Sequence, residues 1–331
     1  MADSDYLVDH VVAVGQLHAM LSGWRFRALL LTVLLSAFGY AMFFIWAGWR
    51  EVLAAMLKVG WLGGVVILSL SLLNYGLRFQ RWQKYLALLG HRVHTAESLR
   101  IYIAGFALTI LPGKAGEAIR SLFLKHHGVS YPESLAAFFS EHFSNLISML
   151  LLVAIGLWVY PQAQPVVLIL AGIILFGLVI LQQGKWLRAL KHVAQRFLPP
   201  RLGYLAGASV DVVLHSGRCF RLPMLLYGIT LGIIAWGAEG VALYYIMHQL
   251  GSELSLSTAL FIYAFSMLIG ALSFLPGGLG GAEATMVMLL MLNQVAQPQA
   301  VAATVLIRLA TLWFAVGLGM FSLALPERIK S

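Results

Sequence analysis

Two apolar segments of the chain are interrupted by related sequences, Leu-Pro-Gly-Lys-Ala-Gly-Glu at 111–117 and Leu-Pro-Gly-Gly-Leu-Gly-Gly-Ala-Glu at 275–283. Proline lacks a backbone N–H and glycine adopts dihedral angles that end helices, so each sequence predicts a helix break. The residues assigned to the breaks are Pro112, Gly113, Pro276, Gly277, Gly278, Gly280 and Gly281. A glutamate, Glu117 or Glu283, opens the helix after each break. We therefore interpret the two segments as an internal repeat.

The composition indicates a membrane protein. Of the 331 residues, 60% are hydrophobic and 11% are charged, which is more apolar than a soluble domain requires. About 20 apolar residues cross the roughly 30 Å of hydrocarbon in a bilayer. The stretches of this kind, named TM1 to TM6, are 28–47, 59–77, 135–158, 165–182, 223–247 and 300–324. The predicted fold is an all-α polytopic membrane protein, in which TM1 stays as an anchor because it lacks the pattern of a cleaved signal peptide.

The distribution of Lys and Arg predicts that both termini are cytoplasmic. In that orientation 18 of the 22 basic residues lie in cytoplasmic segments, and Arg50 and Lys58 lie in outward loops. The same bias explains the net charge of +9 without nucleic acid as a partner. We expect a multi-pass protein of the bacterial inner (cytoplasmic) membrane.

This orientation requires two segments to enter and leave the membrane on one side. If 97–125 crossed the membrane once, the seven basic residues of 183–221 would lie outside. We therefore predict re-entrant helical hairpins over 97–125, on the cytoplasmic side, and over 256–292, on the outer side. The connector 183–221 is predicted to be cytoplasmic and to contain a basic interfacial helix over 185–197.

The flanking helices give the two repeats opposite orientations. The first repeat spans 59–158 and the second 223–324, within a single membrane domain of 1–331. A two-fold axis in the membrane plane would relate them, as in many secondary transporters built from inverted repeats and broken helices. The alternative is that Pro-Gly only kinks ordinary spanning helices.

Ionisable residues inside the apolar segments are the candidate binding residues, because a charge in hydrocarbon is costly. They are Lys114, Glu117, Arg120, Glu141, His142, Glu239, Glu283 and Arg308. The cations would bind a phosphate or another anionic headgroup, and the glutamates would balance their charge. The alternative is that the charges only pair with each other, for example Arg308 with Glu283, and hold helices together.

Three further residues, Arg78, Arg81 and Trp82, are predicted to anchor the end of TM2 at the interface, and Arg120 has the alternative of extending its side chain to the interface. No metal or cofactor is expected, because the single Cys219 is in no Cys/His cluster with metal-ligand spacing and no phosphate-binding loop, dinucleotide fingerprint or nucleophile elbow is present. We expect no enzymatic activity.

The motifs also resemble a known family. The pattern Leu-Pro-Gly-x-x-Gly-Glu-x-x-Arg at 111–120, the pattern at 275–283 and Arg308 in Leu-Ile-Arg-Leu are similar to the lysylphosphatidylglycerol synthase transmembrane region, a family also described as flippase-like. The similarity covers roughly 30–325. It implies lipid translocation, and the expected partner is an anionic phospholipid, a hopanoid or a polyprenyl-phosphate-linked lipid in the bilayer, with the oligomeric state left open.

The chain departs from the family pattern in two places. Where TM3 of the family usually offers an arginine and an aspartate, this chain has Ser140-Glu141-His142 and Asn145, which leaves the headgroup undefined. No aminoacyl-transferase domain follows TM6, so we expect that the chain does not synthesise lysyl lipid.

Three functional hypotheses follow from these patterns. The first is a flippase-like translocator that moves a headgroup through a charged cavity between the hairpins. The second is a membrane enzyme or synthase subunit with Glu117 or Glu283 as a general base. The third is a proton-coupled carrier of small solutes that uses the buried glutamates and His142.

Overall fold

A computed structural model describes residues 48–109, 115–158, 160–273 and 276–324, together with positions 31, 38, 39 and 42. Most of TM1, the first Pro-Gly break and Lys114 therefore lie outside the described residues. For 115–119, which includes Glu117, the backbone alone is described, as also for Leu108 and Pro276. The chain divides into two compact units, Met1–Trp46 and Ala47–Ser331, and the helices described below belong to the second unit.

All regular elements in the described residues are helical. They are α1 (Trp49–Leu88), α2 (Thr95–Ala104), α3 (Ala115–Lys125), α4 (Tyr131–Ile155), α5 (Gln164–Gln182), α6 (Gly184–Phe197), α7 (Pro200–Cys219), α8 (Leu222–Gln249), α9 (Leu256–Leu272), α10 (Gly281–Leu292), α11 (Gln297–Arg308) and α12 (Phe314–Ala324). Short 3-10 segments follow α2, precede α5 and lie between α9 and α10, and a π-helical segment, Leu309–Trp313, joins α11 to α12.

Within the described residues, five stretches are long and apolar enough to cross a membrane. They are Trp49–Leu88, Tyr131–Ile155, Pro161–Gln182, Leu222–Gln249 and Gln297–Ala324. Each of these stretches overlaps one of the predicted spans TM2 to TM6 over most of its length, so the protein is a multi-pass membrane protein. The largest difference is at TM2, predicted as 59–77, because α1 continues to Leu88 through polar residues that lower the local hydropathy.

The second Pro-Gly segment joins two short apolar helices that pack against each other. The α9 helix ends at Leu272, earlier than the predicted Leu275, and α10 begins at Gly281. Between them Gly277 and Gly278 have φ angles of 61° and 68°, which favour glycine. With 12 residues, α10 is about 18 Å long and is too short to cross the hydrocarbon.

The first Pro-Gly segment has the same kind of short helices on either side. The α2 helix continues into a 3-10 turn over Gly105–Leu108, and α3 packs against both α2 and this turn. With 11 residues, α3 is about 16 Å long. It is also shorter than a membrane span.

The two helices that precede these segments, α1 and α8, pack along each other in antiparallel directions. The side-chain amide of Asn74 donates to the carbonyl oxygen of Ala235 at 2.9 Å, and Arg81 Nη1 donates to that of Gly228 at 3.2 Å. Residue numbers rise along α1 while those of the partners fall along α8. This contact joins two halves of the second unit, of which the first consists of α1–α4 and the second of α8–α12.

Each pair of short helices also packs on a membrane-spanning stretch of the other half, which is Tyr131–Ile155 for α9–α10 and Gln297–Ala324 for α2–α3. In one contact, Gly156 and Tyr160, at the end of α4 and just beyond it, lie against Phe261 of α9, and the two rings stack with centroids 4.5 Å apart. In the other, Ser322 Oγ of α12 donates to the carbonyl oxygen of Arg100 of α2 at 3.1 Å. The two halves are therefore interlocked.

The connector 183–221 contains two helices. The helix predicted over 185–197 corresponds to α6. The sequence pattern does not predict α7, because this helix mixes small, polar and charged residues over 20 positions. The α7 helix packs on α4, where Ser216 Oγ lies 3.4 Å from the carbonyl oxygen of Ala136. It places the α6–α7 pair against the membrane-spanning helices.

The end of α7 generates a prediction about thiol reactivity. Cys219 is fully buried, and burial raises its pKa to about 11, so little thiolate forms at neutral pH. We expect maleimide to modify the folded protein in detergent slowly, and to react with Cys219 rapidly after denaturation. Tyr204→Cys in a Cys219→Ser background is the matched control, because Tyr204 is exposed on the same helix. Equal labelling rates for the two thiols would contradict this packing.

Candidate functional site

The carboxylate of Glu141 joins four helices inside the protein. Glu141 is fully buried on α4. Its Oε1 accepts a hydrogen bond from the Tyr102 hydroxyl of α2 at 2.7 Å and pairs with Arg78 Nη2 of α1 at 3.3 Å. Its Oε2 pairs with Arg120 Nη1 of α3 at 3.1 Å. One anion therefore connects α1, α2, α3 and α4.

The guanidinium group of Arg120 is surrounded by aromatic rings. It lies 4.2 Å from the ring centroid of Tyr102, 5.4 Å from that of Trp82 and 5.7 Å from that of Phe106. Such contacts stabilise a cation through the ring quadrupole. Arg120 is 4% exposed, so the alternative in which its side chain extends to the interface is wrong.

Arg81 is a second buried cation, and its hydrogen-bond partners are neutral. Its Nη1 donates to the carbonyl oxygen of Gly228, and its Nη2 donates to Oδ1 of Asn145. Asn145 Oδ1 also accepts a hydrogen bond from Trp236 Nε1 at 3.1 Å. The Trp236 ring lies 5.3 Å from the guanidinium of Arg78.

The prediction that Arg78, Arg81 and Trp82 form an interfacial anchor is wrong. Arg81 and Trp82 are 0% and 1% exposed, and 15% of the Arg78 side chain is exposed. The sequence does contain a signal for this burial, because Asn74, Arg78, Arg81 and Tyr85 recur at the spacing of one helical face. Hydropathy ended TM2 at residue 77 and divided this polar stripe between a span and a loop.

The arginines around Glu141 exceed the local negative charge. Among the described residues, Arg78 and Arg120 pair with one carboxylate, that of Glu141, and Arg81 donates to neutral oxygens alone. The Nε of each of these arginines has no hydrogen-bond acceptor within the described part of the chain. With Glu141, these three arginines thus carry a net charge of +2, and their guanidinium groups have N–H donors for an anion. We refer to these three arginines as the arginine group.

A second ion pair links the break in the second half to α11. Arg308 Nε donates to Glu283 Oε1 at 2.6 Å, and Arg308 Nη2 donates to the carbonyl oxygen of Gly277 at 3.0 Å. The other carboxylate oxygen of Glu283 accepts from the backbone N–H of Gly280 at 2.7 Å. Arg308 and Glu283 are 4% and 3% exposed. They hold the irregular backbone of the break in place.

Glu239 is a further buried acidic residue, and its charge interacts with an arginine of each cluster. It is 3% exposed on α8 and accepts a hydrogen bond from the Tyr263 hydroxyl at 2.5 Å. Both Arg78 of the first cluster and Arg308 of the second interact with its charge. The buried ionic groups of the two halves are therefore close enough to influence one another.

Four of the predicted site residues form two ion pairs in the structure. Arg120 contacts Glu141, and Arg308 contacts Glu283, as in the alternative in which charges pair. His142 lies half-buried beside Phe138, with its Nδ1 3.2 Å from that residue's carbonyl oxygen. Lys114 and the side chain of Glu117 are not described.

Comparison with protein families assigns the fold and these motifs to one group. The family model described as "Lysylphosphatidylglycerol synthase TM region" matches residues 28–319. The chain belongs to this family. The resemblance found in the Pro-Gly motifs and Arg308 is thereby confirmed.

Several proteins of archaea are similar to this family member. A UPF0104 membrane protein of Pyrococcus horikoshii is 23% identical over 303 residues, which cover 83% of this chain and 90% of that protein. One of Methanothermobacter thermautotrophicus is 25% identical over 292 residues, 83% of this chain and 86% of that protein. Another from the same organism is 31% identical over 97 residues, and this match spans 29% of each protein.

The position of Glu141 generates a stability prediction. In Glu141→Gln the side chain keeps its size and loses its charge, so Arg78 and Arg120 lose their shared counterion. We expect the variant to lose about 3 kcal/mol of unfolding free energy, as when one partner of a buried ion pair is removed. The measurement is reversible unfolding in mixed micelles. Glu253→Gln, in an exposed loop, is the matched control and should change little; equal stability of both variants would contradict the assigned role of Glu141.

Proposed function

We propose that this protein translocates a lipid, or a lipid-linked molecule, that carries an anionic headgroup, and that it does so in the cytoplasmic membrane without catalysing a reaction. The observation that carries the proposal is the arginine group: among the described residues, two buried guanidinium groups and a partly exposed third have one carboxylate, that of Glu141, in contact with them. An excess of positive charge inside a membrane protein is costly in free energy unless an anion binds there.

A phosphate-bearing headgroup is the ligand that suits this group best. Arginine offers planar, paired N–H donors that match phosphate oxygens, and the Nε of each member of the arginine group has no acceptor among the described residues. Lys114, outside the described residues, would add a further cation at the first break. The lipid tails would remain in the bilayer while the headgroup passes the charged groups.

The family description supports a lipid as the source of this phosphate. The name of the family refers to lysylphosphatidylglycerol, whose headgroup contains a phosphodiester. An anionic phospholipid and a polyprenyl-phosphate-linked lipid both fall within the proposed class, and a hopanoid does so only if it carries an anionic headgroup. The contacts of Glu283 favour transport over a role as a general base, because Arg308 and the N–H of Gly280 engage its two oxygens.

The proposal includes an inverted repeat, which the positions of the charged residues support. Arg78 and Glu239 each lie 17 residues before the first residue of the next helix, Thr95 or Leu256. Tyr102 and Tyr263 each lie 7 residues after that first residue, and each donates its hydroxyl proton to a buried glutamate. Up to the Pro-Gly break, each residue of the first half therefore corresponds to the residue 161 positions later in the second half.

Contacts between the halves support the same correspondence. The Tyr75 hydroxyl of α1 donates to the carbonyl oxygen of Thr311, and Trp236 of α8 donates to Asn145 of α4. Tyr75 and Trp236 correspond at the offset of 161, and Asn145 and Thr311 at an offset of 166, which applies after the longer second break. One contact is therefore the counterpart of the other.

The interlocking of hairpins and long helices repeats this relationship. At the same two offsets Arg100 corresponds to Phe261 and Gly156 to Ser322, and these are the residues that meet in the two interlocking contacts. Because α1 and α8 are antiparallel counterparts, the two-fold axis would lie in the membrane plane. The short α3 and α10 helices suit re-entrant hairpins, and cytoplasmic termini complete the proposed topology.

The proposed topology is tested by the accessibility of two loops. Arg92, between α1 and α2, and Glu253, between α8 and α9, are exposed and follow corresponding helices. In cells, a membrane-impermeant maleimide should label Glu253→Cys from outside, and should label Arg92→Cys only after the membrane is opened. Labelling of both thiols from the same side would contradict the inverted repeat.

The translocation itself is tested in proteoliposomes. Fluorescent phosphatidylglycerol and phosphatidylcholine probes are placed in both leaflets, and dithionite bleaches those that reach the outside. We expect the protein to expose the inner phosphatidylglycerol, and Arg81→Gln to slow this by roughly tenfold, a barrier increase of about 1.4 kcal/mol. Arg81→Lys should give an intermediate rate, because it keeps the charge and loses the planar donors.

The matched control for Arg81 lies one turn along the same helix. Lys84 is exposed on α1, so Lys84→Gln should translocate at the rate of the unmodified protein. Equal unfolding temperatures among the variants would exclude misfolding as the cause. If the unmodified protein leaves both probes on their original leaflets, the proposed function is wrong.

A further inference from the structure

The outer face of α6 carries a continuous apolar stripe. Trp186, Leu190, Val193 and Phe197 recur at intervals of three and four residues, and so lie on one side of the helix. They are 76%, 56%, 52% and 76% exposed. Four large apolar side chains in a row are unusual on a surface that faces water. This stripe therefore requires an apolar environment.

The position of α6 in the chain places the stripe at a membrane surface. The membrane-spanning α5 ends at Gln182, and α6 begins at Gly184. The next span, α8, begins at Leu222, so the α6–α7 pair starts and ends on the same side of the membrane. Because α6 begins two residues after the end of α5, it starts at the membrane surface, where a basic helix with one apolar face lies among the lipid headgroups.

The α6–α7 pair is held together tightly on its inner side. Gly203 and Gly207 of α7 lie against Gln195 of α6, where a Cβ at Gly203 would approach the Gln195 Cα to 3.3 Å. Lys191 Nζ of α6 lies 2.7 Å from both carboxylate oxygens of Asp211. These contacts fix the rotation of α6, so its apolar stripe points away from α7.

Basic residues accompany the stripe on the same helix. Lys185, Arg188 and Arg196 are exposed, and Arg201 follows at the start of α7. The 14 residues of α6 contain no Asp or Glu. A helix of this type binds a bilayer through its apolar face while its cations attract anionic headgroups.

We propose that the outer face of α6 is a binding surface for anionic lipid, which inserts its apolar stripe into the leaflet where α5 ends and gathers acidic phospholipids beside the spanning helices. This surface goes beyond the proposed translocation site, since it is formed by different helices and needs no lipid to cross. A bilayer suits it better than a second copy of the chain, because two copies of α6 would bring like charges together.

The test uses the full chain in lipid nanodiscs made of phosphatidylcholine, with or without one-third phosphatidylglycerol. An environment-sensitive fluorophore is attached to Leu190→Cys in the stripe, or to His192→Cys, the matched control on the polar face. The buried native Cys219 is left in place, and the parent protein measures its background. Iodide quenches fluorophores in water, and spin-labelled acyl chains quench those in lipid.

We expect the label at 190 to be quenched by the spin-labelled lipid and to be several-fold better protected from iodide than the label at 192. Phosphatidylglycerol should increase both effects. The variant Lys185→Gln/Arg188→Gln/Arg196→Gln should abolish the difference between the two lipid compositions and leave the fold intact, as judged by its unfolding temperature.

Three results would overturn the proposal. Equal iodide quenching at 190 and 192 would show that the stripe faces water. Insertion that is the same in both nanodiscs, with and without the three cations, would show that anionic lipid is not recognised. Protection that appears in detergent and rises with protein concentration would show that a second copy covers the stripe. Each result is independent of the dithionite assay, so either proposal can fail alone.

Discussion

The architecture depends on the cost of placing ionised side chains in a medium of low polarity. Such a group is tolerated among membrane-spanning helices when another charge or a hydrogen-bond donor compensates it. Glu141 shows the consequence, because its two oxygens engage Tyr102, Arg78 and Arg120 from three other helices. Arg308 and Glu283 do the same for the irregular backbone at the second break. In each place electrostatic compensation fixes which helices are neighbours.

These clusters have unequal charge, and the inequality connects structure to the proposed function. Among the described side chains, the first cluster has three arginines and one glutamate, whereas Glu239 and Glu283 accompany Arg308 in the second. Glu239, on the helix α8 that packs against α1, interacts with the charges of both Arg78 and Arg308. The counterpart residues Arg78 and Glu239 carry opposite charges, so the proposed repeat is symmetric in backbone and asymmetric in electrostatics. An anion entering this region would meet its compensating charges mainly in the first half.

Much of the fold follows from composition and local pattern. Hydropathy located TM2 to TM6, and the Pro-Gly motifs marked both the second break and the family. The pairing of Glu141 with Arg120 did not follow, because contacts between helices depend on rotation and crossing that a single sequence does not contain. Arg81 was misassigned because a hydropathy window ends a span where polar residues begin, although its spacing from Asn74 indicated a buried face. Helix α7 was missed because small residues, rather than large apolar ones, form its packing surface.

The central claim is that the arginine group binds the phosphate of a lipid headgroup inside the membrane-spanning helices. The most direct measurement is a cryo-EM structure in nanodiscs rich in phosphatidylglycerol, at a resolution that separates phosphate from protein side chains. We expect density for a phosphate within hydrogen-bond distance of Arg78, Arg81 or Arg120, with acyl chains extending into the bilayer. Headgroups confined to the two bilayer surfaces, with all three guanidinium groups closed off by protein in every class of particles, would contradict it.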